Sequence, residues 1–151
     1  MKILVTGATG YIGKRLIPIL VNEGNEVVCA VRDRLRADKN YLEEPQISIV
    51  EADFLKPETL QHIPKDIDVA YYLIHSMSNS SSDFENLEAK CATNFKGYFE
   101  TTTLKQVIYL SGITNEKELS KHLQSRKNVE NLLASDSYAL TVFKAGIIVG
   151  S

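Results

Sequence analysis

Residues 1–23 read MKILVTGATGYIGKRLIPILVNE, and this stretch decides the fold. Lys2–Thr6 is a short apolar run typical of a β-strand, and Gly7, Gly10 and Gly13 follow it at intervals of three. An apolar pattern with the period of an α-helix starts immediately afterwards. The sequence therefore predicts a strand, a sharp turn made by glycine, and a helix that packs closely against the strand.

A helix that begins in this way is suited to bind phosphate. Its first amides have no partner inside the helix, and the positive end of the helix dipole lies at the same place. A glycine motif gains weight when it stands between a strand and a helix, as it does here, although a glycine turn without a ligand is the alternative. The predicted phosphate-binding residues are Gly7, Thr9, Gly10, Tyr11, Ile12 and Gly13.

Composition limits the class of protein. The chain has 151 residues, of which 44% are hydrophobic and 24% charged, as is usual for one globular domain. A net charge of −2 gives no reason to expect nucleic acid or an acidic membrane surface as a partner, and no apolar run has the length of a membrane span. Cytoplasmic location is the expectation. Cys29 and Cys91 lie in apolar patterns and are predicted to be buried thiols, with no metal site.

Strands alternate with helices along the whole chain. This order predicts an α/β Rossmann-like fold, a doubly wound parallel sheet of about six strands in the order 3-2-1-4-5-6 with helices on both faces. The predicted strands are 2–6, 27–31, 47–50, 69–74, 106–110 and one from 140. The predicted helices are about 11–22, 83–100 and 117–134, with a further helix starting at Pro57.

The end of the second strand selects the cofactor in dinucleotide-binding domains. An acidic residue there binds the ribose 2′-hydroxyl of NAD, whereas arginine accommodates the 2′-phosphate of NADP. Arg32 stands nineteen residues after Gly13, and Arg34 and Arg36 follow it. The sequence therefore favours NADP, with NAD as the alternative. Asp33 complicates this interpretation, and a solvent-exposed charged loop is the competing one.

The string TGATGYIG, with its G-x-x-G-x-x-G spacing, resembles the extended and atypical branches of the short-chain dehydrogenase/reductase superfamily. The chain is most similar to NmrA-like proteins and to relatives known as nucleoside-diphosphate-sugar epimerases. Residues 73–77, LIHSM, resemble the YLVHSM signature of one atypical branch, and residues 144–150, KAGIIVG, resemble the R-A-G-I-I-V-G segment under the nicotinamide. The resemblance implies a bound nicotinamide dinucleotide.

The resemblance also implies individual cofactor contacts. It places the adenine amino group at Asp53 with Phe54 beside it, the cofactor ribose along the backbone of Leu73, Ile74 and His75, and the nicotinamide near Gly146. Two alternatives remain open: Asp53 as a turn or capping residue, and His75 as a catalytic acid or base.

The catalytic Tyr-x-x-x-Lys of the family is altered in this chain. In the string HLQSRKNVE, Ser125 and Glu130 fit the family pattern, but His122 replaces the tyrosine and Arg126 the lysine. Their spacing of four residues puts both on one helix face. His122 could exchange a proton near neutral pH, and Arg126 could bind ribose hydroxyls. The alternative is a surface histidine beside an arginine that only anchors the cofactor.

The hydroxyl that contacts the substrate in the family is also displaced. Its position is occupied by Ile113, and the nearest hydroxyls belong to Ser111 and Thr114. Asn94 and Gly97 resemble an N-x-x-G pattern whose asparagine helps to position the active-site lysine in relatives. The predicted catalytic set is His122, Arg126 and Ser111.

The sequence thus predicts an NAD(P)-binding protein that prefers NADP, an oxidoreductase acting on an unknown small carbonyl or sugar-nucleotide substrate. A non-catalytic NmrA-like redox sensor and a nucleoside-diphosphate-sugar epimerase are the alternatives. Residues 1–151 are expected to form the cofactor domain, without the C-terminal part that binds substrate in relatives. The sheet edge or helix face that this leaves open could promote a homo-oligomer.

Overall fold

The computed structural model describes residues 1–75, 84–113, 121–146 and 148, with the backbone alone at 42, 84, 121 and 122. Its strands are β1 Lys2–Thr6, β2 Glu26–Val31, β3 Ile47–Glu51, β4 Val69–Tyr72, β5 Gln106–Gly112 and β6 Ala139–Ala145. Its helices are α1 Tyr11–Asn22, α2 Phe84–Phe99 and α3 Lys121–Leu133. Short 3₁₀ segments occupy Arg34–Arg36, Lys39–Leu42 and Pro57–His62.

The six strands form one parallel sheet in the order β3-β2-β1-β4-β5-β6. The central strand β1 pairs with β2 on one side and with β4 on the other, so Leu4 stands opposite both Val28 and Ala70. The order reverses between β1 and β4, and a crevice opens at such a point beyond the carboxyl ends of the strands. The predicted fold and strand order are confirmed.

Two clusters of buried hydrophobic residues pack against the sheet, one on each face. Leu4 points to the face that packs against Phe95 of α2 and Leu133 of α3, whereas its neighbour Val5 points to the face that packs against Ile17 of α1. Burial on both faces explains why the central strands are continuously apolar in sequence.

β4 is two residues shorter than predicted. The amide of Leu73 donates a hydrogen bond to the Thr6 hydroxyl at 2.9 Å, and that hydroxyl donates to the Tyr71 carbonyl at 3.1 Å. A side chain therefore replaces the next backbone bond of the ladder. The chain leaves the sheet at Leu73 and is tied to the end of β1.

The other element boundaries differ less. The segment that begins at Pro57 is a 3₁₀ helix, and β5 continues two residues beyond its predicted end. The start of the helix predicted at 117–134 falls partly on residues outside the described ones. α3 is described from Lys121 to Leu133.

The turn after β1 accepts only glycine at two positions. Gly7 has a φ of +66°, and a Cβ there would lie 2.7 Å from the Leu73 carbonyl oxygen. A Cβ on Gly13 would lie 2.6 Å from the Gly7 carbonyl oxygen. Their predicted roles, turning the chain and letting the helix approach the strand, are confirmed.

We expect Gly7→Ala to lower the free energy of unfolding by about 2 kcal/mol or more, because alanine is strained at positive φ and its Cβ would clash with Leu73. Gly97→Ala is the matched control, since a Cβ on this helical glycine meets nothing within 4 Å. That variant should gain about 0.5–1 kcal/mol. Urea unfolding measures both changes, and equal stability of the two variants would contradict the steric account.

Candidate functional site

A cavity of about 670 Å³ lies beyond the carboxyl ends of β1 to β5. This volume is in the range of small-molecule and cofactor sites. Its walls are mainly apolar, with a few polar side chains supplied by different elements. It is lined by Gly7, Thr9, Gly10, Tyr11, Ile12, Gly13, Ala30, Val31, Arg32, Ala52, Asp53, Phe54, Leu55, Leu73, Ile74, His75, Leu87, Glu88, Cys91, Leu110, Arg126 and Ile148.

The start of α1 presents unpaired amides to this cavity. The Gly10 amide donates to the Gly7 carbonyl at 2.9 Å, and the first helical bond runs from the Lys14 amide to the Gly10 carbonyl at 3.0 Å. The amides of residues 11–13 precede that bond and have no acceptor within the helix. Among the described residues no side chain caps this end, and the first turn of α1 contains no acidic residue. A bound anion can accept hydrogen bonds from these amides, and it interacts favourably with the positive end of the helix dipole.

Only one of the three arginines after β2 lines the cavity. Arg32 is exposed there and forms no ion pair with any described residue, whereas Arg34 and Arg36 are not part of the lining. The Asp33 carboxylate accepts a hydrogen bond from the Leu35 amide at 2.9 Å and caps the short 3₁₀ turn. Asp33 is thus engaged by the backbone, which leaves Arg32 as the cationic side chain of the described lining at this end of the cavity.

Asp53, at the end of β3, combines a turn role with a place in the cavity wall. Its Oδ1 accepts from the Leu55 amide at 3.0 Å, and the Thr59 hydroxyl donates to its backbone carbonyl at 3.1 Å. No described residue bonds Oδ2. The alternative role as a turn residue is therefore present, and one carboxylate oxygen remains for a ligand.

Phe54 lines the same end mainly as part of the core. Its side chain is 4% exposed and its ring lies 5.8 Å from that of Phe95. Asn94 of α2 donates to the Phe54 carbonyl at 2.7 Å. Asn94 therefore ties α2 to the loop after β3, a different contact from the one that the family resemblance implies for it.

The segment after β4 brings His75 to the opposite end of the cavity. The Thr6 hydroxyl fixes the start of this segment, and Leu73, Ile74 and His75 all line the wall. Burial and, to a smaller extent, the positive charge of Arg126 lower the pKa of His75 from its ordinary value of 6.5 to about 4, against an opposing effect of Glu88. His75 is consequently neutral near pH 7.

Arg126 of α3 lines the wall beside His75. The α3 backbone is held to β5 by the Tyr109 hydroxyl, which donates to the Arg126 carbonyl at 3.3 Å. The Arg126 side chain crosses the end of β5, where a Cβ on Gly112 would lie 3.5 Å from its Cδ. Arginine thus occupies the cavity wall at the position that the family gives to lysine.

Glu88 of α2 was not identified by the sequence reasoning. It is 7% exposed, lines the cavity, and accepts a hydrogen bond from the buried Ser125 hydroxyl at 2.6 Å. Glu88 lies on the same face of α2 as the buried residues Cys91, Phe95 and Phe99. This position in the sequence pattern could have identified it, because a carboxylate on the buried face of a helix needs a partner or a ligand. The other lining residues missed were apolar or small: Leu87, Cys91, Leu110 and Ile148 among them.

Two predicted site residues lie away from the cavity. Ser111 is fully buried, is absent from the lining, and its hydroxyl has no hydrogen-bond partner among the described residues. Gly146 is also absent from the lining, and Ile113 is the nearest neighbour of a Cβ placed on it, at 3.9 Å. Neither residue therefore contributes to the cavity wall, and Ser111, which lies within β5, is buried.

Three further predictions fall on parts of the chain outside the described ones. Thr114 and residues 76–77 of the LIHSM stretch are not among the described residues, and at His122 only the backbone, in the first turn of α3, is described. The proton-donor role of His122 stays a prediction.

Within the described residues, no group of three His, Cys, Asp or Glu side chains could hold a metal ion, and no helix is long and apolar enough to cross a membrane. Cys29 and Cys91 are free, buried thiols, as predicted. Burial raises the pKa of Cys91 to about 11, so this thiol is un-ionised where it lines the cavity.

Comparison with known proteins agrees with the fold. A family model described as NAD(P)H-binding matches residues 7–146. The photosystem II assembly factor Ycf39 of Synechocystis sp. is 26% identical over 152 residues, covering 99% of this chain and 46% of that protein. The chain spans about half the length of the curated relatives that it matches over almost its whole length.

Two solved reductase structures are similar. Triphenylmethane reductase of Citrobacter sp., complexed with NADP(H), has a TM-score of 0.79 at 18% identity, covering 95% of this chain and 49% of that one. Yeast methylglyoxal/isovaleraldehyde reductase Gre2, complexed with NADPH, has a TM-score of 0.78 at 15% identity, covering 97% and 58%. At these identities the likeness establishes the fold.

The lowered pKa of His75 makes folding stability depend on pH. The unfolded chain binds a proton at this residue near pH 6.5 and the folded chain only near pH 4, so stability rises with pH across that window and is lost as pH falls through it. We expect His75→Gln to flatten this part of the stability curve. NMR titration, with the resonance assigned by its loss in that variant, should give a pKa near 4; a value at or above 6.5 would contradict the site geometry.

Proposed function

The chain belongs to the NAD(P)H-binding family, and from that membership we propose that it binds NADP(H) in the cavity at the ends of β1 to β5. The observation that carries this proposal is the uncapped start of α1 in the wall of that cavity, with Arg32, which no described carboxylate pairs, at one end. A pyrophosphate would accept hydrogen bonds from the amides of residues 11–13.

The other proposed cofactor contacts follow if the dinucleotide lies along the cavity with its adenosine half at Arg32 and Asp53. Arg32 would bind the 2′-phosphate, since a guanidinium and a phosphate form a charge-assisted, bidentate pair. The Oδ2 atom of Asp53 would accept from the adenine amino group. The nicotinamide nucleoside would then lie at the other end, beside His75 and Arg126, where Leu110 and Ile148 add apolar surface.

In the catalytic form of the proposal, the chain is the cofactor half of an oxidoreductase acting on a small carbonyl or sugar-nucleotide substrate. The bound cofactor supplies hydride chemistry, and the protein supplies orientation and a proton. Arg126 would hold ribose hydroxyls and His122 would donate the proton. In this proposal residues 1–151 supply the cofactor domain, and the substrate-binding part is not among them.

A non-catalytic regulator is the second candidate, and the position of Ser111 favours it. That hydroxyl is fully buried away from the cavity, and the family's tyrosine and lysine are replaced by His122 and Arg126. Such a protein would bind the dinucleotide and act through a protein partner, which suits the relative that is named an assembly factor. An epimerase would need the same proton donor as a reductase. Hydride exchange with a panel of carbonyl compounds separates the catalytic candidates from the regulator.

The proposed function also includes self-association into a homo-oligomer and a location in the cytoplasm, as the sequence predicts. The edge strand β6 supports self-association, because Phe143 is 58% exposed on it. The net charge of −2 supports a small molecule rather than nucleic acid as the second ligand.

We expect Arg32→Asp to weaken NADPH binding by about ten- to hundredfold while changing NADH binding much less, because the variant loses a charge-assisted contact that only the 2′-phosphate makes. Calorimetric titration with NADP, NADPH, NAD and NADH measures both effects. Arg36→Asp is the matched control, since it makes the same charge change in the same loop outside the cavity wall.

The titration also tests cofactor binding itself. If the unaltered protein bound none of the four dinucleotides, the proposed function would be wrong. If Arg32→Asp and Arg36→Asp weakened NADPH binding equally, the preference for NADP would come from general charge rather than from a specific phosphate contact.

A further inference from the structure

A short turn after β2 exposes an arginine, a leucine and a second arginine in succession. Arg34, Leu35 and Arg36 form the first 3₁₀ segment of the chain, here called the RLR turn. All three side chains are exposed, that of Leu35 to 94%. None of them lines the cavity, so the proposed contacts with NADP(H) do not use this turn.

Carboxylates contact the backbone of the RLR turn rather than its guanidinium groups. Asp33 accepts a hydrogen bond from the Leu35 amide at 2.9 Å, and Glu51 of β3 accepts one from the Arg34 amide at 3.4 Å. Neither Arg34 nor Arg36 takes part in an ion pair with any described residue. Both guanidinium groups therefore keep their donors available to a partner.

The RLR turn is also held in one backbone conformation. The Arg36 amide donates to the Asp33 carbonyl at 3.1 Å, and the Ala37 amide donates to the Arg34 carbonyl at 3.2 Å. These bonds add to the cap that the Asp33 carboxylate provides. A segment whose backbone is already ordered loses less conformational entropy when it binds a partner.

The neighbours of the turn add to its positive charge. Arg32 precedes it and Lys39 follows it, and both side chains are exposed. The chain as a whole has a net charge of −2, so positive charge is concentrated in this segment against the overall sign. A local concentration of charge steers a partner of opposite sign to that part of the surface.

Two guanidinium groups beside one apolar side chain fit an acidic protein segment. A guanidinium pairs with a carboxylate through two parallel hydrogen bonds, and arginine is enriched at the energetic centres of protein interfaces. A lipid surface fits less well, because membrane binding grows with the apolar area inserted. Within residues 32–39, all of which the structure describes, Leu35 alone is a large exposed hydrophobic residue.

We propose that the RLR turn is a docking surface for an acidic protein segment that carries an apolar side chain. Arg34 and Arg36 pair with carboxylates of the partner, and Leu35 packs against its apolar group. The turn lies outside the cavity wall, so this inference goes beyond the proposed function and does not rest on the binding of NADP(H).

The test is fluorescence anisotropy of a labelled peptide, with glutamates on both sides of a leucine, titrated with the 151-residue chain. We expect the double variant Arg34→Gln/Arg36→Gln to weaken peptide binding by about tenfold, because it removes two charge-assisted contacts. Leu35→Ser should weaken it by about fivefold. The matched control Lys65→Gln/Lys127→Gln removes two exposed positive charges elsewhere and should change binding little.

Two variants of Asp33 separate an ordered docking turn from general attraction between charges. Asp33→Asn and Asp33→Ala remove the same negative charge, but asparagine retains an acceptor for the Leu35 amide. The asparagine variant should therefore bind the peptide more tightly than the alanine variant. Equal affinities of the two variants would contradict the docking role of the turn.

The outcomes separate this inference from the proposed function. Peptide binding that depends on the RLR turn, but not on Lys65 and Lys127, would support it. Equal losses in the two double variants, no peptide binding, or binding to phosphatidylglycerol vesicles in place of the peptide would overturn it. NADPH titration of Arg34→Gln/Arg36→Gln should match that of the unaltered chain, so either proposal can fail while the other stands.

Discussion

The close approach of three backbone segments is the constraint on which the site depends. The carbonyl oxygen of Leu73 lies 2.7 Å from where a Cβ of Gly7 would be, and that of Gly7 lies 2.6 Å from where a Cβ of Gly13 would be. The end of β4, the turn after β1 and the first turn of α1 are thereby packed without side chains between them. This contact places the unpaired amides of α1 in one cavity wall and sends residues 73–75 into another, with the Thr6 hydroxyl fixing the junction.

The cavity is electrostatically divided along its length. At one end stands Arg32, which forms no ion pair with a described residue, while Asp33 caps a short 3₁₀ turn. The lining beyond β4 and β5 includes Arg126, the buried Glu88 and His75, which is neutral near pH 7. A dinucleotide carries its negative charge in the phosphates and its redox-dependent charge at the nicotinamide. The cavity offers the amides at the start of α1 and the Arg32 guanidinium to the phosphates, and Arg126 lines the part beyond β5.

The fold was predictable because periodicity and glycine spacing are local properties of sequence. The strand order and the glycine turn followed from periodicity and spacing, and Arg32 from its place at the end of β2. Asp53 and His75 were predicted through the family resemblance, and all three residues line the cavity. Contacts between distant segments were not predictable. The Ser125 to Glu88 bond joins two helices 37 positions apart, and Thr6 shortens β4 across 67 positions. The burial of Ser111 depends on the packing around β5, which spacing within the motif does not specify.

The central claim is that a dinucleotide places its phosphates on the start of α1. The most direct measurement is an NMR titration of the ¹⁵N-labelled chain with NADPH, following the backbone amides of Tyr11, Ile12 and Gly13. The account predicts large, saturable shifts of these three resonances, with smaller ones along the cavity wall at Arg32 and His75. Saturable binding that left these amides unmoved, or that shifted resonances only on the opposite side of the sheet, would contradict it.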